Sequence, residues 1–124
     1  MSILTVRALL VLLSLECPLY SGNFAAIYDR VRRTPLNKSP ASTAAVERVC
    51  AAVDLACVWY WKHVLCLQRS AATVSLLRRE GIAAELVIGA QHMPFKAHAW
   101  VEVDGQVVND RSYTNEMYSV LDRC

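Results

Sequence analysis

The sequence predicts an α+β fold, with a helical N-terminal half over residues 1–60, then one more helix and a small antiparallel sheet over 65–124. Three observations predict it. Apolar residues recur at helical spacing through the first half, as Phe24, Ile27, Tyr28 and Val31 do. Beyond Gly81 the pattern changes to a continuous apolar run, Leu86-Val87-Ile88, and then to alternation from Ala97 to Val103. A length of 124 residues suits one core and is too short for two, so residues 1–124 are expected to form a single domain.

The first apolar stretch, Leu9-Leu10-Val11-Leu12-Leu13-Ser14-Leu15 with Arg7 before it, imitates the core of a signal peptide. Glu16 follows at once, however, and no small-x-small cleavage site stands near Cys17-Pro18. The stretch is also shorter than the ~20 residues of a spanning helix. It is expected to dock on the core, with weak membrane association left open. Pro18 and Ser21-Gly22-Asn23 make a break before the helix of Phe24 to Val31. Thr34 to Ala41, with Pro35 and Pro40, reads as a linker, and Ser42 can cap a third helix. That helix carries the apolar stripe Val46, Val49, Cys50, Val53 and Cys57. Trp59-Tyr60-Trp61 ends it, either as packing or as the wall of a cleft.

A further helix is expected from about Cys66 to Glu80, with Arg78-Arg79 in its last turn and Gly81 as its C-terminal cap. Ala84 to Gly89 reads as a central strand, Gln91 to Lys96 with Pro94 as a loop, and Ala97 to Val103 and Gln106 to Asp110 as two strands about a turn. The tail after Arg111 is polar and weakly patterned. The chain has no internal repeat.

Composition narrows the function. The chain is 55% hydrophobic and 19% charged, with four Gly and four Pro, which excludes disorder. A net charge of +2 is too mild to imply nucleic acid, and Arg30, Arg32, Arg33 and Lys38 gather around a Pro-containing connector. Five cysteines, an odd count without repeated spacing, speak against a disulfide framework and for the reducing cytoplasm. Cys57, His63 and Cys66 match no zinc spacing, and His63 and His92 read as loop histidines. Neither a phosphate-binding glycine loop nor a paired-histidine zinc signature is present, and no metal is expected.

Cys66 stands where a helix begins. Free backbone N–H groups and the positive end of the macrodipole favour a thiolate there, and the same groups can stabilise an oxyanion. Position alone leaves Cys66 no better than a buried structural cysteine. His98 changes that balance, because strand alternation puts His98, Trp100 and Glu102 on one face and Ala97, Ala99, Val101 and Val103 on the other. A two-residue turn at Asp104-Gly105 sets His98 opposite Arg111 and would make Asn109 the better partner for the imidazole. A three-residue loop, Val103-Asp104-Gly105, sets His98 opposite Asp110 instead. The expectation is the three-residue loop and a Cys66, His98 and Asp110 triad, in which the carboxylate orients the imidazole and the imidazole activates the thiol. Trp100, on the face of His98, and Phe95, before the strand, are candidates for the substrate groove, each with plain packing or loop shape as the alternative.

At Cys66-Leu67-Gln68-Arg69-Ser70, Leu76-Leu77-Arg78-Arg79-Glu80-Gly81-Ile82, Ala84-Glu85-Leu86-Val87-Ile88-Gly89 and Ala97-His98-Ala99-Trp100-Val101-Glu102-Val103-Asp104-Gly105, the chain resembles the lasso peptide biosynthesis B2 proteins. The resemblance covers about Cys66 to Asp110, a little over a third of the chain. Glu80 departs from it, where an arginine often extends the basic run. The resemblance implies a transglutaminase-like, papain-like core with the family's triad carried onto Cys66, His98 and Asp110. It further implies a bacterial cytoplasmic cysteine peptidase that removes the leader from a ribosomally made precursor peptide without a cofactor. Its implied partners are a small leader-binding B1 protein and a lasso cyclase resembling asparagine synthetase. Two other readings stay open: acyl transfer to an amine by the same triad, and a non-catalytic peptide-binding module of the same fold.

Overall fold

The structure, a computed structural model, describes residues 3–22, 24–33, 43–92 and 95–124. Its helices α1 (Ile3–Ser14), α2 (Glu16–Tyr20), α3 (Phe24–Arg33) and α4 (Thr43–Trp59) precede α5 (Cys66–Arg79). Strands β1 (Ala84–His92), β2 (Phe95–Val103) and β3 (Gln106–Val107) follow, then a short α6 (Thr114–Met117) and β4 (Ser119–Arg123). The fold is the α+β arrangement expected, a helical half followed by one antiparallel sheet of order β3-β2-β1-β4. The expected linker and the capping Ser42 lie outside the described residues.

Helix α5 joins the halves because it is buried almost all round. Ala71, Ala72, Val74, Leu76 and Leu77 are buried in one cluster with Leu12, Ile27, Val49 and Val53 of the helices and Leu86, Ala99 and Val101 of the sheet. Such a helix can only sit between two layers. Its end is fixed as the glycine suggested: Gly81 adopts φ +80°, Ile82 N–H reaches Leu77 O at 3.0 Å, and Gly81 N–H reaches Arg78 O at 3.0 Å. That pair of bonds is the Schellman motif. The buried Arg78 ties three elements by donating to Val31 O at 2.6 Å and Ala84 O at 3.0 Å.

The N-terminal apolar stretch is α1, with Ala8, Val11 and Leu12 buried against the rest of the core. Among the described residues no helix is long and apolar enough to cross a membrane. Glu16 anchors this corner: its Oε2 accepts from Tyr60 Oη at 2.7 Å and Gln68 Nε2 at 3.1 Å, and its carboxylate pairs with Lys62. Trp59 and Trp61, 65% and 72% exposed, are therefore neither packed inside nor placed by their own burial; Tyr60 between them is the residue that docks.

The sheet departs from expectation in three places. β1 and β2 run on to His92↔Phe95, so the expected loop of Gln91 to Lys96 is mostly strand, with 93–94 outside the described residues. The turn after β2 has two residues, not three: Val103 pairs with Gln106, and Asp104 and Gly105 take φ 52° and 76°. Both left-handed residues are what a two-residue turn of type I′ demands, and Asp-Gly supplies them cheaply. The polar tail, finally, forms α6 and β4, and β4 pairs with β1 on the side away from β2. The tail lacks periodicity because β4 is an exposed edge strand, held by ladder bonds more than by burial.

Candidate active site

Leu65 precedes α5 in extended conformation (φ −73°, ψ 155°) and lends it no side-chain cap, so the first N–H groups of the helix meet Cys66 at their head. Cys66 is half-buried between this helix start and β2. Its thiol is held below the ordinary cysteine range, first by a hydrogen bond with His98 and then by the N–H groups of Ala99 and Leu67, which together outweigh burial. His98 is pushed above the ordinary imidazole range by the same bond with Cys66 and by Asp110, against burial. These shifts favour the thiolate–imidazolium pair over the neutral pair.

His98 Nε2 lies 2.5 Å from Asp110 Oδ2, which leaves Nδ1 as the ring nitrogen for the thiol. Burial alone would raise Asp110, but the bonds from His98 and the Arg111 N–H bring it below the usual carboxylate range. Asp110 reaches His98 in spite of the two-residue turn. The ladder ends at Val107, with one more bond from Val108 N–H to Val101 O at 3.0 Å, and the chain then leaves the sheet. Asn109 does not become the imidazole's partner. Its Oδ1 accepts from Val101 N–H at 2.8 Å and its Nδ2 donates to Ser70 Oγ at 3.0 Å. Ser70 Oγ donates in turn to Ala99 O at 3.1 Å, and Arg69 Nη2 to Asn109 O at 3.0 Å. Asn109 thus replaces the missing ladder, and this departure from register turns Asp110 toward His98.

Trp100 is not a substrate contact. It is 0% exposed, because the returning tail lays Tyr118 across it, and its Nε1 donates to Glu102 Oε2 at 2.8 Å. Glu102, only 3% exposed, is also held by Arg123 at 2.7 Å. Tyr118 stacks on His98 as well, at 5.3 Å between ring centroids, so an aromatic layer backs the imidazole. Gly89 makes room for that layer: a Cβ there would meet Trp100 Cη2 at 2.6 Å and Tyr118 Cβ at 2.9 Å. Phe95 is 72% exposed at the start of β2 and lines neither of the clefts at Cys66.

Two clefts meet at Cys66. One of about 400 Å³ is lined by Cys57, Val58, His63, Val64 and Arg69, the other of about 130 Å³ by Leu67, Ile88, Ala97, His98 and Ala99. Although Cys57, His63 and Cys66 share the first, no group of three ligating side chains among the described residues could hold a metal ion. Sequence reasoning missed Tyr118, Gly89, Ser70 and the part played by Asn109. An isolated glycine inside the strand pattern was the one usable signal, since it marks close approach.

Comparison with known proteins agrees with the fold. Residues 9–123 match the family model described as the transglutaminase-like superfamily, and the chain belongs to that superfamily. Among curated proteins it is 45% identical over 56 residues to the microcin J25-processing protein McjB of Escherichia coli. The aligned stretch is 45% of this chain and 27% of McjB, so the chain spans about a quarter of the length of that relative. No solved structure is significantly similar to it. The two matches agree with the resemblance to the lasso peptide B2 proteins.

Proposed function

We propose that this chain is a cysteine peptidase that removes the leader from a ribosomally made lasso peptide precursor, with Cys66, His98 and Asp110 as its catalytic triad. One observation carries the reading: Cys66, at the uncapped start of a helix, stands in line with an imidazole that borders the same cleft, lowers its thiol and is itself bonded to Asp110. A structural cysteine has no use for such a line. Cys57 and Cys50 are the contrast, since burial raises both thiols and that of Cys50 lies at about 11.

In this reading the Cys66 thiolate attacks the scissile carbonyl, and the N–H groups at the start of α5 receive the oxyanion. His98, carrying the proton taken from the thiol, delivers it to the leaving amine. Water then attacks the acyl-enzyme, with His98 taking its proton and Asp110 holding the ring in place throughout. The printed name of McjB, a microcin-processing protein, supports a precursor peptide as substrate. A leader-binding protein and a lasso cyclase are the partners this role calls for, and a bacterial cytoplasm is its setting.

The test is mass spectrometry of a precursor incubated with the chain and a leader-binding partner. Hydrolysis gives free leader and free core; transfer to an amine gives a leader amide, whose mass differs from that of the free leader by the amine less one water. Cleavage is expected with the natural chain and not with Cys66→Ala. A Cys66→Ala chain that still cleaves would end the assignment.

A further inference from the structure

We propose that the segment on the leaving side of the scissile bond binds as an added strand on the open outer edge of β2 and places a small aliphatic side chain in the 130 Å³ pocket beside Cys66. The inference rests on the peptidase reading and adds the residue class that the site accepts.

Direction follows from the chemistry. The imidazolium of His98 must reach the leaving nitrogen, so the residue carrying that nitrogen lies on the β2 side of Cys66. There the walls are Leu67, Ile88, Ala97 and Ala99, all apolar, with two alanines that leave the space open. The volume is close to that of an apolar cavity of ~150 Å³ that holds one benzene. It admits alanine or valine and turns away an indole. The larger cleft with His63 and Arg69 lies on the other flank of Cys66 and falls to the acyl side.

The backbone supplies the rest. Leu86 and Cys124 exchange N–H···O bonds at 3.0 Å, so the even residues of β1 point to β4 and its odd residues to β2. His98 and Trp100 therefore bond β1, while Ala97, Ala99 and Val101 turn their N–H and C=O to the outer edge. Val101 is satisfied by Asn109 and Val108, and Ala99 by Cys66 and Ser70. Ala97, next along that row, has no strand beside it among the described residues, because β3 reaches only Glu102. A peptide leaving Cys66 along this edge meets that open donor and acceptor, the geometry of strand addition.

Amine capture reads the leaving side without a precursor. p-Nitrophenyl acetate acetylates the Cys66 thiolate, the ester C–O bond breaking and p-nitrophenolate departing. An amino acid amide then attacks the thioester through its amine, forming an N-acetyl amide, releasing the thiolate and giving its proton to His98. By microscopic reversibility the amine occupies the leaving-side site. Alaninamide and valinamide should capture acetyl at least about tenfold better than tryptophanamide, the size of discrimination apolar pockets achieve. Ala97→Leu should abolish the advantage of valinamide over glycinamide, and Ile88→Ala should raise capture by phenylalaninamide several-fold. Alanyl-glycinamide should be a several-fold better acceptor than its analogue N-methylated at glycine. Far-ultraviolet circular dichroism and a thermal melt report whether each variant is folded.

Equal capture of all amides overturns the pocket assignment, and equal capture of the two dipeptides overturns the strand pairing; both leave the peptidase reading standing. Failure of the natural chain to form an acetyl thioester at Cys66, seen by intact mass, overturns the inference and the peptidase reading together.

Discussion

Asn109 Nδ2 donates to Ser70 Oγ at 3.0 Å, and that bond fastens the segment carrying Asp110 to the helix carrying Cys66. The same amide accepts from Val101 N–H, so three elements converge on one side chain next to the carboxylate.

Asn109→Ala should leave Val101 N–H without its partner at a cost of about 1–3 kcal/mol in stability. It should also lower kcat with little change in KM, because Asp110 loses its bearing while the clefts at Cys66 stay intact. Urea unfolding and precursor kinetics give the two numbers. A loss confined to stability would make Asn109 structural only.

The pH profile follows from the lowered thiol and the raised imidazole. Activity should rise as pH passes the depressed pKa of Cys66 and fall as it passes the elevated pKa of His98. Asp110→Asn removes a charge that raises His98, so the alkaline limb should move toward acid. For stability, His98 contributes fully below its unfolded value of about 6.5 and loses that contribution as pH rises through its higher folded value. Asp110 contributes above 3.8 and loses it as pH falls through its lower folded value. NMR titration of the imidazole in both chains checks the shift directly.

Gly89→Ala should disturb the imidazole from behind. The added methyl meets Trp100 and Tyr118 at under 3 Å, and overpacking of this kind costs about 1–3 kcal/mol. Since Tyr118 stacks on His98, kcat should fall as well, and near-ultraviolet circular dichroism should show the aromatic layer displaced. An unchanged spectrum would mean the layer has slack.

Glu16→Gln tests the tether of the loop before Cys66. Burial would raise Glu16, but Lys62, Tyr60 and Gln68 hold it below the ordinary carboxylate range. Its stabilisation is then present above 4.5 and lost as pH falls through the lowered value. The natural chain should be more stable than Glu16→Gln at neutral pH, and the two should converge in acid. Thermal melts across pH measure it.

Legibility varied with the kind of signal. Helix α5, its glycine cap and the alternation of β2 were readable because each is local: a propensity, a positive φ and a period of two. The turn was misread although its sequence was plain, since Asp-Gly favours the two-residue form and the three-residue form was preferred only to bring Asp110 opposite His98. Strand β4 was unreadable, as an exposed edge strand carries no apolar period.

By itself the sequence determined the α+β order and put Cys66 at a helix start, with His98 on a strand 32 positions on. Tertiary structure decided how they meet. Ladder register ends where the bonds end, and beyond Val107 the path of the chain is set by Asn109, Ser70 and Arg69, residues from different elements. It also decided that Trp100 is buried, because only folding brings Tyr118 back across the sheet. Hydrogen bonds and stacking between distant residues leave no period in a sequence, and so the site's support was visible only once the chain was folded.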